Sequence, residues 1–192
     1  MNTTTINKYS PSVNIKRDFK KSLAYIPTPN AKEVANQLIG GLSSGKRSHV
    51  IVGAYGSGKS IFLWAFAKTL TQSKSYFPLS SDVDLANFHV VNLIGEYRSI
   101  IEAFGEEFQP NETHSTDSVL NSISKKYEAL QSKGKSLLIV LDEFGKFLEY
   151  AAKHNPDEEL YFIQQLAEFV NDEEKKLLFI ATLHQNFNAY GY

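Results

Sequence analysis

The stretch GAYGSGKS at residues 53–60 constrains the fold of this 192-residue chain more than any other feature. An apolar run at residues 49–52 precedes it, and a second apolar run at residues 61–64 follows it. Glycines allow a backbone to curl so that successive N–H groups point inward, and a helix that begins there adds free N–H groups and the positive end of its dipole. The stretch therefore predicts a loop between a buried strand and a helix that binds a di- or triphosphate.

The same stretch matches the phosphate-binding pattern G-x-x-x-x-G-K-[ST], with Gly53, Gly58, Lys59 and Ser60 at the fixed positions. We expect Lys59 to reach the β- and γ-phosphates and the Ser60 hydroxyl to ligate Mg²⁺. Tyr55 occupies a variable position, and its side chain is expected to cover the nucleotide or a neighbour. The predicted nucleotide-binding residues are Gly53, Ala54, Tyr55, Gly56, Ser57, Gly58, Lys59, Ser60 and Ile61. The alternative is a glycine-rich turn with a solvated lysine.

Two adjacent acids, Asp142 and Glu143, follow the apolar run at residues 137–141. An aspartate at the carboxyl end of a buried strand is suited to hold Mg²⁺ through water, and a glutamate beside it is suited to orient and deprotonate an attacking water. Consecutive strand residues point to opposite sides, so the two carboxylates take different roles only if the backbone turns there. The alternative is that both acids cap the next helix.

Buried strands alternate with helices along the chain. Strands are predicted at residues 49–53, 88–94, 137–141 and 177–183, and helices are predicted to begin near Asn30, Lys59, Tyr97, Thr116, Phe144 and Pro156. This alternation is typical of an α/β domain with a mostly parallel sheet. Residues 1–24 are polar and lack periodicity, which predicts an N-terminal arm ahead of a core domain over residues 25–192.

The composition argues against several classes of protein. The 20 basic and 21 acidic residues nearly cancel, so the overall charge does not demand a nucleic acid or an anionic membrane. The lack of cysteine excludes disulfides and thiolate metal sites, and the five histidines are scattered, which argues against zinc. A polar start without a long apolar run favours a cytoplasmic protein with no membrane contact. The basic cluster at residues 16–21 leaves a DNA contact open.

Over residues 25–186 the order of these motifs resembles the ATPase branch of P-loop proteins that carry an additional catalytic glutamate, including the AAA+ and origin-recognition-like ATPases. The resemblance implies a three-layer P-loop NTPase fold, ATP and Mg²⁺ as cofactors, and hydrolysis of ATP with Lys59 and Glu143 at the catalytic centre. It also implies that the strand at residues 177–183 lies between the other two motif-bearing strands and ends in a γ-phosphate sensor. Thr182 is the best match to that sensor, with His184 behind it. Residues 25–30 are similar to the linker that contacts the adenine in AAA+ proteins.

The resemblance is incomplete at the C-terminal end. The family pattern continues into a fifth strand, a small helical lid and arginines that reach a neighbour's γ-phosphate. The chain's arginines, Arg17, Arg47 and Arg98, do not match those positions. We therefore expect the sequence to be the amino-terminal part of a longer protein, or a product cut short. The residues of its motifs are also loosely similar to those in the ATPase portions of large bacterial anti-phage defence proteins. This similarity suggests a homo-oligomer or a larger defence-type complex.

Three functions fit these motifs. The first is an ATPase that couples hydrolysis to a conformational change in an attached or partner effector. The second is a non-catalytic ATP-binding switch or interaction module, which the missing arginine and lid favour. The third, a nucleoside or polyol kinase, is disfavoured because neither lid arginines nor an acceptor-binding acid is identified in the sequence.

Overall fold

The computed structural model describes residues 12–79, 87–109, 112–172 and 175–190. Within these ranges four strands form one sheet in which every pair is parallel: β1 (Ser48–Val52), β2 (Phe88–Ile94), β3 (Ser136–Asp142) and β4 (Leu177–Leu183). Their order is β1-β4-β3-β2, so β4 lies between the strands that precede the glycine-rich loop and the two acids. The predicted α/β fold is confirmed, and each predicted strand agrees with the observed one to within a residue at either end.

Among the described residues, six helices accompany the sheet: α1 (Pro29–Ser44), α2 (Lys59–Leu70), α3 (Ile100–Phe108), α4 (Thr116–Gln131), α5 (Gly145–Ala151) and α6 (Pro156–Asn171). A short 3₁₀ turn, Phe187–Ala189, follows β4. No helix in the described ranges has the length and apolar character that a membrane crossing needs.

The helices cover both faces of the sheet because the strands are apolar on both sides. Side chains alternate along a strand, so Leu138 and Val140 pack with α1 and α2, whereas Leu137, Ile139 and Leu141 pack with α3 to α6. All seven residues of β3 are buried. The result is a three-layer arrangement in which the carboxyl ends of β1, β3 and β4 open to the same edge of the sheet.

Two helix starts differ from the prediction. Thr28, rather than Asn30, caps α1, since its hydroxyl accepts a hydrogen bond from the Ala31 N–H at 3.2 Å. Proline at the first helical position has no N–H to satisfy, so the cap falls on the residue before it. Tyr97 lies outside α3, because the Ser99 hydroxyl accepts from Glu102 and the helix begins only at Ile100.

The described part of the predicted arm, residues 12–24, packs against α2. Ile15 and Leu23 are buried in the core on that face, and the Trp64 indole donates a hydrogen bond to the Asp18 carbonyl at 3.2 Å. The Asp18 carboxylate is buried and accepts from Arg17 at 2.6 Å and from the Asn14 N–H at 3.0 Å. These contacts fasten the segment to the core, while a domain boundary at residue 24 stays a prediction.

Asp18→Asn is expected to make the stability of the protein less sensitive to acid. Hydrogen bonds from Arg17 and Lys21 hold the pKa of the Asp18 carboxyl well below its usual range. Such a group stabilises the fold above its ordinary pKa, and the contribution disappears as the pH falls below about 5. The variant should therefore be less stable at neutral pH, yet lose less further stability than the wild type between roughly pH 5 and pH 3. Urea denaturation across that range, with the exposed Glu128→Gln as control, measures this; parallel curves for Asp18→Asn and wild type would contradict it.

Candidate functional site

The glycine-rich loop joins β1 to α2 at the carboxyl edge of the sheet and wraps around a lysine ammonium. Lys59 Nζ donates to the carbonyl oxygens of Gly53 at 2.5 Å and Ala54 at 2.9 Å. Gly56 and Gly58 have φ of 74° and 87°, in the left-handed region that favours glycine. Burial lowers the pKa of Lys59, and the charges of the two nearby carboxylates oppose that shift. The loop therefore encloses a concave space with a cation at its base.

The two acids take different directions because the backbone turns sharply between them. Asp142 ends β3 with its side chain buried, whereas Glu143 adopts a φ of 57°, a left-handed conformation that is uncommon outside glycine. The Gly95 N–H donates to the Asp142 carbonyl at 2.7 Å. A Cβ on Gly95 would lie 1.9 Å from the Glu143 carbonyl oxygen. The residue that follows β2 must therefore be a glycine for the backbone to turn at Glu143 without a clash.

Thr182 forms hydrogen bonds to both acids. Its hydroxyl donates to Asp142 Oδ1 at 2.5 Å and accepts from the Glu143 N–H at 3.1 Å. The Glu143 N–H is also 3.1 Å from Asp142 Oδ1. Thr182 is completely buried, so its contacts orient the Asp142 carboxylate and the Glu143 backbone. The sensor role that the family resemblance implies for Thr182 stays a prediction. No signal in the sequence indicated this orienting contact, which depends on β4 lying beside β3.

His184, the second sensor candidate, lies directly over Lys59. Its Nδ1 is 3.3 Å from Lys59 Nζ, and its ring stacks on Tyr55 with centroids 3.5 Å apart. Its Nε2 is buried and makes no hydrogen bond within the described part of the chain. Burial and the charge of Lys59 lower the pKa of His184, which favours the neutral ring. A neutral imidazole with an unused buried nitrogen is a ready hydrogen-bonding partner for a ligand in the loop.

Two further residues of the site were not foreseen. Tyr190 accepts a hydrogen bond from the His184 N–H at 3.3 Å and packs so tightly on Gly145 that a Cβ there would lie 2.4 Å from the ring. Lys146, in the first turn of α5, forms an ion pair with Glu143 Oε2 at 2.5 Å. In the sequence, the i, i+3 spacing of Glu143 and Lys146 at a helix start was the signal that could have predicted this ion pair.

Cavities formed by described residues adjoin the glycine-rich loop. The α1 groove, of about 360 Å³, runs between the start of α1 and the loop, and its wall includes Tyr25, Ala31, Val34, Ile51 and Phe62. The Lys146 cavity, of about 220 Å³, is lined by Ala54 and Tyr55 of the loop together with Lys146, Glu149, His184 and Tyr190. A ligand in the loop would thus lie beside an apolar groove and beside a second cavity whose wall includes a lysine.

The remaining candidates lie away from this edge or do not cluster. Arg17 pairs with Asp18, Arg98 pairs with Glu106, and Arg47 is buried. Lys16 pairs with Glu107 and Lys21 with Asp18, and a DNA contact by this basic segment stays a prediction. Within the described ranges, His, Asp and Glu side chains form no group of three or more that could hold a metal by themselves.

The parallel sheet, the loop that wraps a lysine before α2 and the helices on both faces define the P-loop NTPase fold. A family model described as "AAA domain" matches residues 42–189. The chain therefore belongs to the AAA domain family.

Two solved structures of one protein show the same fold at low identity. The Aeropyrum pernix ORC2 protein in its ADPNP-ADP complexes is 18% identical, with a TM-score of 0.59, and the match covers 91% of this chain and 47% of that one. Its ADP form gives a TM-score of 0.55 with the same identity and coverage. The Caenorhabditis elegans PCH-2 structure is 15% identical, with a TM-score of 0.49 and coverage of 88% and 41%. The chain spans about half the length of the ORC2 protein that it matches. No curated protein sequence gives a match.

Proposed function

We propose that this domain binds MgATP and hydrolyses it to ADP and phosphate through an attacking water. The observation that carries the proposal is the arrangement of Asp142, Glu143 and Thr182 beside Lys59. One carboxylate is fixed by two hydrogen bonds to Oδ1, and the next is turned away from it by a left-handed backbone. A metal ligand and a base on neighbouring strand-end residues suit phosphoryl transfer to water.

The glycine-rich loop is proposed to bind the phosphates, and the α1 groove is proposed to bind the adenine. The loop backbone from Gly53 to Ser60 and the Lys59 ammonium contact the phosphate chain. The apolar wall of the α1 groove, including Tyr25 and Val34, suits a planar base. This places the β- and γ-phosphates toward His184, whose buried Nε2 is proposed to contact the γ-phosphate.

The donor set fits a magnesium ion. Ser60, the second residue of α2, offers a hydroxyl, and Asp142 offers a carboxylate whose orientation Thr182 fixes. Mg²⁺ prefers oxygen ligands and retains several waters beside one or two carboxylates and the substrate phosphates. When bound, the ion would neutralise charge on the β- and γ-phosphates. In this assignment Thr182 is a positioning residue, and Glu143 orients and deprotonates the water.

Coupling of hydrolysis to a conformational change in an attached or partner effector belongs to the same proposal. A homo-oligomer, a defence-type complex and DNA are the partners we propose to test, with a cytoplasmic location. A non-catalytic ATP-binding switch is the second candidate, and the observation that favours it is the ion pair that engages Glu143. The test is phosphate release in the presence and absence of double-stranded DNA, since a switch releases none.

Lys59→Ala should abolish tight ATP binding. The ammonium is the cation at the base of the loop and also bridges two loop carbonyls, so its removal loses phosphate contacts and loosens the loop. We expect the Kd for ATP to rise about a hundredfold, which corresponds to the loss of a charge-assisted contact and part of the loop's pre-organisation. Isothermal titration calorimetry measures this, with Lys125→Ala on α4 as the control. An unchanged Kd for ATP in Lys59→Ala would contradict the proposed nucleotide site.

A further inference from the structure

The cations near the loop are lysines. Each arginine of the chain is engaged elsewhere: Arg17 with Asp18, Arg98 with Glu106, and Arg47 with backbone carbonyls that include that of Leu42. The charges that lower the pKa of His184 beside burial are those of Lys59 and Lys146. Lys146 and His184 both line the Lys146 cavity, and of the two lysines only Lys59 belongs to the glycine-rich loop.

Lys146 can reach two partners from its position on α5. Its side chain is half exposed, and its ammonium lies 2.5 Å from Glu143 Oε2. It also lines the Lys146 cavity together with Ala54, Tyr55 and His184. A lysine side chain is long and flexible, so an ammonium on this wall has access both to the glutamate and to a ligand that enters beside the loop.

Charge decides which partner Lys146 takes. In the structure described, the carboxylate of Glu143 pairs with the ammonium. The proposed nucleotide orientation brings the γ-phosphate to the His184 side of the loop, against the same cavity. A phosphate group carries more negative charge than a carboxylate and accepts hydrogen bonds through three oxygens. Its arrival gives the ammonium a more highly charged partner within reach, which competes with Glu143 for the ion pair.

We infer that Lys146 is shared between Glu143 and the γ-phosphate: it pairs with Glu143 when the loop is empty and moves to the γ-phosphate when MgATP binds. This inference rests on the proposed function and adds a residue to that site. The transfer places a cation of this same chain on the γ-phosphate and leaves Glu143 available for the attacking water. It requires no covalent step.

The test compares nucleotides with and without a γ-phosphate. For wild type, Lys146→Met, Lys146→Arg and the control Lys153→Met, calorimetry gives the Kd of ADP and of ATPγS in the presence of Mg²⁺. Lys146→Met should reduce the preference for ATPγS over ADP about tenfold through the Kd of ATPγS alone. Lys146→Arg should keep most of the preference, and Lys153→Met, on a lysine beyond the end of α5, should keep all of it. Urea midpoints verify that the variants remain folded.

A double-mutant cycle tests the sharing itself. Glu143→Gln removes the competitor for the ammonium, so it should tighten ATPγS binding more in the wild-type background than in Lys146→Met. Equal tightening in both backgrounds, or an unchanged ATPγS preference in Lys146→Met, overturns the inference while the proposed function stands. A wild-type protein that binds neither nucleotide overturns both.

Discussion

Glu143→Gln is expected to reduce the rate of ATP hydrolysis about a thousandfold while ATP binding is retained, since general-base catalysis typically contributes 10²- to 10⁴-fold. The amide keeps the size of the side chain but cannot take a proton from water. The backbone turn at residue 143 depends on N–H contacts with Asp142 and Thr182, which the substitution leaves in place. The loss should therefore fall on turnover and leave the loop intact.

Single-turnover phosphate release and calorimetric ATP binding separate these two quantities. Glu149→Gln is the matched control, because it removes a nearby carboxylate, on α5, that lines the Lys146 cavity but does not follow β3. Turnover at the wild-type rate in Glu143→Gln would rule out the glutamate as the base. Turnover that is absent from the wild type as well would favour the non-catalytic switch.

Gly95→Ala should destabilise the protein by roughly 3 kcal/mol, at the upper end of the range for overpacked sites. The added Cβ would lie 1.9 Å from the Glu143 carbonyl oxygen and 2.6 Å from its carbonyl carbon. Backbone atoms cannot rotate away as the end of a side chain can, so either β2 must shift along β3 or the left-handed turn at Glu143 must open. Both movements disturb the acid pair, and activity should fall together with stability.

Gly40→Ala makes the same chemical change, but we expect it not to lower the free energy of unfolding. Gly40 lies within α1, and a Cβ there meets nothing within 4 Å. Alanine is favoured over glycine in helix interiors by about 0.5–1 kcal/mol, so this variant should be as stable as the wild type or more so. Urea denaturation of both variants gives the comparison. A Gly95→Ala protein as stable as Gly40→Ala would show that the close approach to Glu143 does not exist.

Much of the fold and part of the site could be predicted because the responsible interactions are local. The glycines and lysine of residues 53–60 define a turn by backbone freedom and by the direction of helix N–H groups, whatever surrounds them. The apolar run of β3 predicts a strand buried on both faces, and Asp142 follows from its end. Prolines and hydroxyl side chains mark helix starts, although Asn30 and Tyr97 show that a neighbouring Thr28 or Ser99 can take the cap.

The tertiary structure decided how those local elements cooperate. Strand order is a property of long-range pairing, and the placement of β4 next to β3 alone explains why the Thr182 hydroxyl reaches Asp142, forty residues earlier in the chain. The stacking of His184 on Tyr55 over Lys59 joins two strand ends that no periodicity connects. The left-handed backbone at Glu143 depends on a glycine delivered by β2. The sequence by itself determined the turn of the glycine-rich loop and the strand that ends in the two acids, because both depend on backbone and side-chain chemistry within a few positions. Which side chains of the candidate site orient, stack or pair with one another was decided by the packing of strands that lie far apart in the chain.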